Sequence, residues 1–142
     1  MATYDTTVLS SRPAAETFDY LACFSNAAEW DPGVASGEAL QEGPPRVGAL
    51  YRLGIPLIGR TVTFDYRVLE LDRPSRVVLR ADHPIARSTD TITVEASPNG
   101  ALVHYHAVLE ARGLFRLLGP LFARNLQKIG DRAADGLRAA LR

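Results

Sequence analysis

The sequence predicts an α+β domain in which an antiparallel sheet of about seven strands packs against a long C-terminal helix. Residues 62–68 and 103–109 alternate apolar with polar side chains, and a period of two is typical of a strand with one covered face. Residues 118–140 instead repeat apolar side chains every three or four positions, which predicts a helix with one buried side. A run of strands closed by a helix favours a two-layer α+β architecture.

Turn-forming residues separate the predicted strands from one another. Gly43-Pro44-Pro45 lies between the second and third strands, and Ser97-Pro98-Asn99-Gly100 lies between the last two. Pro, Asn and Gly in such an order favour tight turns and hairpins. The predicted strands are 3–10, 36–41, 48–54, 60–72, 76–83, 88–97 and 101–111.

Two short helices are expected between the first and second strands. Ser10-Ser11 ahead of Pro13 predicts the first helix, because Ser is a favourable N-cap and Pro suits the first helical turn. The second helix is expected from Asn26 to Trp30. Pro120 either begins the final helix or kinks it, so that Gly113–Leu118 forms a separate apolar turn.

Composition limits the classes of partner that the chain is expected to bind. A length of 142 residues fits one domain, 1–142. The chain carries 16 basic and 16 acidic residues, for a net charge of +0. Nucleic acids and anionic membranes attract proteins with a basic surplus, so we expect neither as a general partner, although a local patch stays possible.

The sequence lacks the signals of secretion, membrane insertion and common cofactors. Its beginning has no apolar signal-peptide core, and no run approaches the roughly 20 apolar residues of a membrane span. We therefore expect a cytoplasmic protein without stable membrane insertion. Cys23 is the one cysteine, and phosphate-loop, dinucleotide, zinc-protease and esterase motifs are absent. No cofactor, metal ligand or catalytic residue is predicted.

Several strings along nearly the whole chain resemble a known protein family. These strings are Ser11-Arg12-Pro13 ahead of Phe18-Asp19-Tyr20-Leu21, Asn26 to Val34, Val47-Gly48, Arg76 to Arg80, Asp90 to Val94, Asn99-Gly100, and Gly130 to Leu137. In their order and spacing they resemble the START-related SRPBCC superfamily, which includes bacterial polyketide cyclase/dehydrase and lipid-transport-like proteins. The resemblance implies a helix-grip fold, in which a curved sheet wraps the C-terminal helix and leaves a cavity. It concerns turns and packing, so it predicts the fold more directly than the chemistry.

Three apolar connections are expected at one end of the sheet. Residues 54–59, 84–87 and 113–118 connect elements on the side opposite the Pro- and Gly-rich turns. Clustered apolar loops are typical of a ligand entrance, of a partner surface, of a membrane-contact surface, or of loops that close the end by packing together. The sequence leaves these alternatives open, and a homodimer through the same loops is one of them.

Strand parity identifies candidate ligand-binding side chains. The candidates are Trp30, Tyr51, Phe64, Tyr66, His83, Asp90, Tyr105, Leu118 and Phe122. Phe64, Tyr66, Tyr105 and Phe122 are expected to face the cavity, with Trp30 and Tyr51 near its rim; inward aromatic residues can equally be plain core.

Two histidine predictions complete the set of candidate polar groups. His83 and Asp90 flank the 84–87 connection. They could meet there as an acid–base pair or form a surface pair with no chemistry. His104 and His106 alternate with Tyr105, so we expect them on the outer face of the sheet.

The sequence supports three functional hypotheses. The first is binding of a lipid, polyketide or isoprenoid-like molecule for carriage or sequestration. The second, implied by the family resemblance, is an aromatase/cyclase-type enzyme acting on a polyketide-like substrate. The third is a protein-interaction module that uses the apolar loops. Whether the chain is an enzyme stays open, because no converging set of catalytic groups is recognisable.

Overall fold

The computed structural model describes residues 1–57 and 59–142, apart from the side chain of Phe122. In this part of the chain the strands are β1 (Ala2–Ser10), β2 (Ser36–Ala39), β3 (Leu50–Leu57), β4 (Arg60–Asp72), β5 (Arg76–Asp82), β6 (Ala86–Ser97) and β7 (Gly100–Ala111). The helices are α1 (Ala14–Ala22), α2 (Ala27–Trp30) and α3 (Gly119–Ala140). Short 3-10 helices, Phe24–Asn26 and Gly113–Leu118, precede α2 and α3.

The strands form one antiparallel sheet in the order β1-β7-β6-β5-β4-β3-β2. From β2 to β7 each strand pairs with the next along the chain, and β1 pairs with β7. The predicted fold class is confirmed: a curved seven-stranded sheet with two short helices after its first strand and a long C-terminal helix.

The alternation seen in the sequence separates the two faces of the sheet. Val68, Ile92 and Val103 point to the inner face and are fully buried, whereas Asp65 and His104 on the same sheet are exposed. Burying an aliphatic side chain of this size contributes about 1.5–3 kcal/mol to folding. The inner face therefore supplies the core and requires a cover.

Two glycines allow α3 to approach its neighbours closely. A Cβ on Gly130 would lie 2.5 Å from the Tyr4 ring of β1, and one on Gly136 would lie 1.8 Å from the carbonyl oxygen of Trp30. Both distances are far below van der Waals contact. The Tyr4 hydroxyl then donates to Asp131 at 2.7 Å, which joins β1 to the middle of α3.

The two halves of α3 differ in their contacts with the sheet. Ala134 and Leu137 in the second half are buried, whereas Leu121 and Ile129 in the first half are exposed. The apolar stripe predicted over 118–140 is therefore packed in only part of its length.

The predicted cap of α1 is wrong. Pro13 occupies the N-cap position, and α1 has no side-chain cap. The Ser10 hydroxyl instead lies 2.8 Å from that of Thr17, because Ser10 ends β1 with its side chain turned into the buried interior. None of the helices in the described ranges is long and apolar enough to cross a membrane.

Candidate functional site

A cavity of about 230 Å³ lies between the inner face of the sheet and α3, which lines it from Leu126 to Leu137. Its walls are mostly apolar, with Phe64 from β4, Leu109 from β7 and Leu126 from α3. Ile129 lines the cavity and is also 51% exposed. The cavity therefore reaches the protein surface beside α3.

Connections between strands border the same cavity. Ile55 and Leu57 come from the end of β3, and Ile85 comes from the connection between β5 and β6. Two of the three apolar connections predicted from the sequence, 54–59 and 84–87, thus supply lining residues, although Ile58 lies outside the described residues. An apolar lining with few polar groups is typical of sites for small apolar molecules.

One buried polar cluster interrupts the apolar lining. The Asp90 carboxyl on β6 is 6% exposed. Ser88 donates a hydrogen bond of 3.0 Å to its Oδ1, and the hydroxyl of Tyr105 on β7 donates to its Oδ2. Both donors lie in the cavity wall, so the cluster is accessible to anything that occupies the cavity.

The register of β6 and β7 explains why Tyr105 reaches Asp90. Asp90 pairs with Ala107, and Tyr105 pairs with Ile92, so the two side chains are diagonal neighbours on the inner face. Diagonal positions across antiparallel strands lie within reach of a long aromatic side chain.

Burial controls protonation in this cluster. It raises the pKa of Asp90 from 3.8 to about 6, against the hydrogen bonds from Tyr105 and Ser88, which lower it. A charge is costly to move out of water, and nearby Asp31 raises the pKa further. Burial, with the Asp90 charge as the next cause, also raises the pKa values of Tyr66 and Tyr105, so both phenols keep their protons.

Asp31 is the second carboxyl in the cavity wall. Burial raises its pKa, whereas a hydrogen bond from the backbone N–H of Gly33, 2.8 Å from Oδ1, opposes that shift. Asp31 follows α2 directly, at the position where the chain leaves the helix. The turn thus places a carboxyl over a mostly apolar space.

Aromatic rings fix the positions of the polar cluster. The Trp30 and Tyr105 rings pack edge to face with centroids 5.7 Å apart, and Phe24 packs against Tyr66 at 4.9 Å. Such geometries are favourable for aromatic pairs. Because α2 and its preceding 3-10 helix supply Trp30 and Phe24, these short helices hold the two tyrosines in place.

Comparison with known families shows which family the chain belongs to. Over residues 1–142 it matches the family described as "Polyketide cyclase / dehydrase and lipid transport". The chain belongs to this family. No curated protein sequence matches it.

Several solved structures share this fold. A START superfamily protein from Mycobacterium smegmatis has a TM-score of 0.79 at 14% identity, covering 99% of this chain and 97% of that one. Ara h 8.0201 has a TM-score of 0.62 at 15% identity, covering 96% and 97%. The di-domain ARO/CYC protein StfQ of the steffimycin biosynthetic pathway has a TM-score of 0.70 at 12% identity. The match to StfQ covers 99% of this chain and half of that protein. At these identities the likeness establishes the START-like helix-grip fold.

Five of the nine site residues predicted from the sequence lie in the cavity wall. They are Trp30, Phe64, Tyr66, Asp90 and Tyr105. All five lie on the inner face or on α2, where parity or helix placement puts them. Their role in ligand binding stays a prediction.

Tyr51 and His83 lie elsewhere. Tyr51 is not at a rim: it is 1% exposed and packed in the core beyond the cavity, near Cys23, whose 3-10 neighbour Phe24 covers that part of the sheet. His83 lies in the turn between β5 and β6, where its Nδ1 accepts the backbone N–H of Ile85 at 3.2 Å. The centroid of its ring lies 4.8 Å from that of the Phe64 ring.

The predicted meeting of His83 and Asp90 is wrong. Backbone hydrogen bonds between His83 and Ala86 close the hairpin, which starts β6 earlier than the predicted residue 88. The resulting register pairs Asp82 with Arg87 and Leu79 with Asp90. Asp90 thus lies well inside the sheet, and Tyr105 takes the place of the expected histidine.

The segment Gly113–Leu118 does not line the cavity in the described part of the structure. Leu114 and Leu117 are 85% and 82% exposed, and Leu118 is also exposed. Leu118 is therefore not brought to the other candidates, and the predicted placement of the Phe122 side chain lies outside the described residues.

Sequence reasoning missed several lining residues. Ser88 shares the inner face with Asp90 by simple parity, a signal that was available. Leu126 and Ile129 lie on the apolar stripe of α3 and Ile85 lies in the 84–87 connection, so their patterns were visible although none was named as a candidate. Asp31 comes from the turn after α2, where no periodicity indicates that a side chain faces the cavity.

The outer face carries the polar groups that parity assigned to it. His104 is exposed and His106 is half-buried, and each lies 2.8 Å from Oδ1 of Asp5 on β1. Arg52 pairs with Asp65 at 2.8 Å. The described residues include no group of three or more His, Cys, Asp or Glu with a metal-binding arrangement.

Proposed function

We propose that this chain binds a small hydrophobic molecule, such as a lipid, polyketide or isoprenoid-like compound, for carriage or sequestration. One observation carries the proposal: an apolar cavity under α3 that contains a single buried polar cluster and opens beside Ile129. Family membership and fold support the same role.

The cavity volume favours a modest ligand. At about 230 Å³ it falls just below the roughly 300–1,000 Å³ of sites for drug-sized molecules. A compact ligand, or the end of a longer chain whose remainder leaves beside α3, fits this space. Leu114, Leu117 and Leu121, in the segment before α3 and in its first turn, are further exposed apolar side chains.

Native mass spectrometry of the gently purified protein tests the proposal directly. We expect a hydrophobic small molecule to copurify, and an apolar fluorescent probe to bind the emptied protein. Ala107→Trp adds a large ring to the cavity wall and should abolish probe binding. Phe64→Ala should weaken it about tenfold or more, a loss of roughly 1.4 kcal/mol.

His104→Ala is the matched control on the outer face and should leave probe binding unchanged. Equal effects of Phe64→Ala and His104→Ala would contradict the assignment of the site. The absence of both a copurified mass and probe binding would contradict ligand binding itself.

Asp90 favours a second candidate function, an aromatase/cyclase-type reaction on a polyketide-like substrate. A carboxyl whose pKa is raised to about 6 can exchange protons near neutral pH, as a general acid or base requires. Incubation with a linear poly-β-keto thioester tests this function. Cyclised product that disappears in Asp90→Asn would support it, and no product above background would contradict it.

A further inference from the structure

The charges of the cavity are all of one sign. Among the lining residues that the structure describes, Asp31 and Asp90 carry carboxyl groups and none is Lys, Arg or His. The basic residues of the neighbouring strands point outward, where Arg52 pairs with Asp65, and Arg80 and Arg87 pair with Asp82. In a chain with equal numbers of basic and acidic residues, the charged residues among the described lining residues are thus both acidic.

The hydrogen bonds of the cluster also have a direction. Tyr105 and Ser88 both donate their hydroxyl hydrogens to Asp90. A carboxylate has about four lone-pair sites, and each hydroxyl oxygen keeps lone pairs after donating. The cluster therefore has acceptor capacity left over and has used its hydrogens, so it can receive a donor from a ligand.

An anionic head group would meet two unfavourable conditions in this site. It would lie beside carboxyls in a low-dielectric space, where like charges at short range disfavour ionisation strongly. It would also leave water without a basic partner, and an unpaired buried charge is costly. A hydroxyl or an amine meets neither condition, because each offers hydrogens to the free acceptors.

We infer that the cavity takes an apolar molecule whose buried polar group is a hydroxyl or an amine donating to the Asp90–Tyr105–Ser88 cluster, and that it excludes carboxylates. This inference rests on the proposed binding function and names the ligand class. The hydrocarbon part contacts Phe64, Leu109 and Leu126, and the polar end reaches β6. Free fatty acids are accordingly poor ligands, and fatty alcohols or amines are good ones.

Eight-carbon probes match the volume. At roughly 30 Å³ for a water-sized group, about 230 Å³ corresponds to about eight such groups. Octan-1-ol, octylamine and octanoate share one chain length and differ in the head group. Their displacement of an apolar fluorescent probe at pH 7.5 gives three comparable affinities.

We expect octylamine and octan-1-ol to bind at least about tenfold more tightly than octanoate. Octanoate binding as tightly as the other two would overturn the inference while leaving the proposed function intact. Displacement by none of the three, in a protein that binds no apolar probe, would instead contradict the proposed function and this inference with it.

Asp90→Asn identifies the responsible group while keeping the side-chain shape. We expect the affinity ratio of octylamine to octanoate to fall to within about threefold of unity. Asp65→Asn, which removes a carboxyl from the outer face, is the control and should keep the wild-type ratio. An unchanged ratio in Asp90→Asn would overturn the inference.

A measurement on the unmodified protein avoids any dependence on how the variants fold. Octylamine stays cationic throughout the range from pH 8 to pH 5, whereas Asp90 gains a proton there. We expect octylamine binding to weaken as the pH falls and octan-1-ol binding to change less. Asp31, the other carboxyl in the wall, also has a pKa raised by burial. Equal pH dependence for the two probes would overturn the assignment to the cavity carboxyls, and the same measurement on Asp90→Asn should remove the difference if Asp90 is the group responsible.

Discussion

Asp90 on β6 and Asp5 on β1 flank β7 on opposite faces of the sheet, and each carboxyl has two side-chain partners. Asp90 accepts from Tyr105 and Ser88 inside the cavity, whereas Asp5 lies against His104 and His106 outside. Burial raises the pKa of Asp90 to about 6. The hydrogen bond with His106 is the largest cause that lowers the pKa of Asp5.

The difference shows that the number of hydrogen bonds does not decide the pKa of a carboxyl. Both groups accept two hydrogen bonds, so the opposite shifts come from solvent access and partner chemistry. Inside, the loss of water outweighs two neutral hydroxyl donors. Outside, water screens the Asp5 carboxyl, so its contacts with the two histidines contribute little to the free energy of unfolding. We therefore expect changes at Asp90 to affect stability and binding, and changes at Asp5 to affect neither strongly.

Removing the Tyr105 hydroxyl should have the largest effect. In Tyr105→Phe the buried Asp90 loses one donor, and we expect the free energy of unfolding at pH 8 to fall by about 1.5–3 kcal/mol, the range for a hydrogen bond to a charged group. Denaturant titration measures the loss. Tyr20→Phe is the control, because that hydroxyl donates to Glu29 in an exposed position. Equal losses in the two variants would contradict the role of burial.

The pH dependence of stability should reveal Asp90 next. Its folded-state pKa is raised above 3.8, so the folded protein binds the Asp90 proton more tightly than the unfolded chain does. The free energy of unfolding that Asp90 contributes therefore falls as the pH rises through about 4 to 6.

Comparison with Asp90→Asn isolates this contribution from all other titrating groups. Between pH 4 and pH 8, the stability of the wild type should fall relative to that of the variant by about 2 kcal/mol. Denaturant titrations across this range provide the measurement. A difference between the two proteins that does not vary with pH would show that Asp90 keeps an ordinary pKa.

Asp5→Asn should have the smallest effect. Because the pKa of Asp5 is lowered, its stabilising contribution is present above about pH 4 and is lost as the pH falls through the lowered value. Asp5 and His104 are exposed and His106 is half-buried, so we expect a loss of under about 0.5 kcal/mol at pH 6. The loss should shrink at 1 M salt. A loss above about 1 kcal/mol that salt does not change would remove the contrast between the two faces.

The fold was largely predictable because its signals are local. Alternation in 62–68 and 103–109 identified both the strands and their inner faces, and the turns between strands were placed by Pro, Asn and Gly. Strand β4 was predicted with its observed bounds, 60–72. Errors occurred where two local rules compete, as at Ser10, whose predicted cap role gave way to a buried contact with Thr17.

The site was predictable only in part. Parity alone placed Phe64, Tyr66 and Tyr105 on the inner face, and these side chains line the cavity. It could not distinguish Tyr51, which shares that face, because the cover over Tyr51 comes from Phe24, a residue distant in sequence. The partner of Asp90 could not be predicted either, because it depends on the turn length that fixes the register of β6.

The sequence by itself thus determined the order of elements, the two faces of the sheet and the presence of a covering helix, because each depends on a repeat within a few residues. The tertiary structure decided that α3 lies over a cavity from Leu126 to Leu137, that Tyr105 donates to Asp90, and that no described lining residue is basic. These features depend on register, on helix placement and on burial. All three are set by contacts between residues far apart in the chain, and such contacts leave no local pattern.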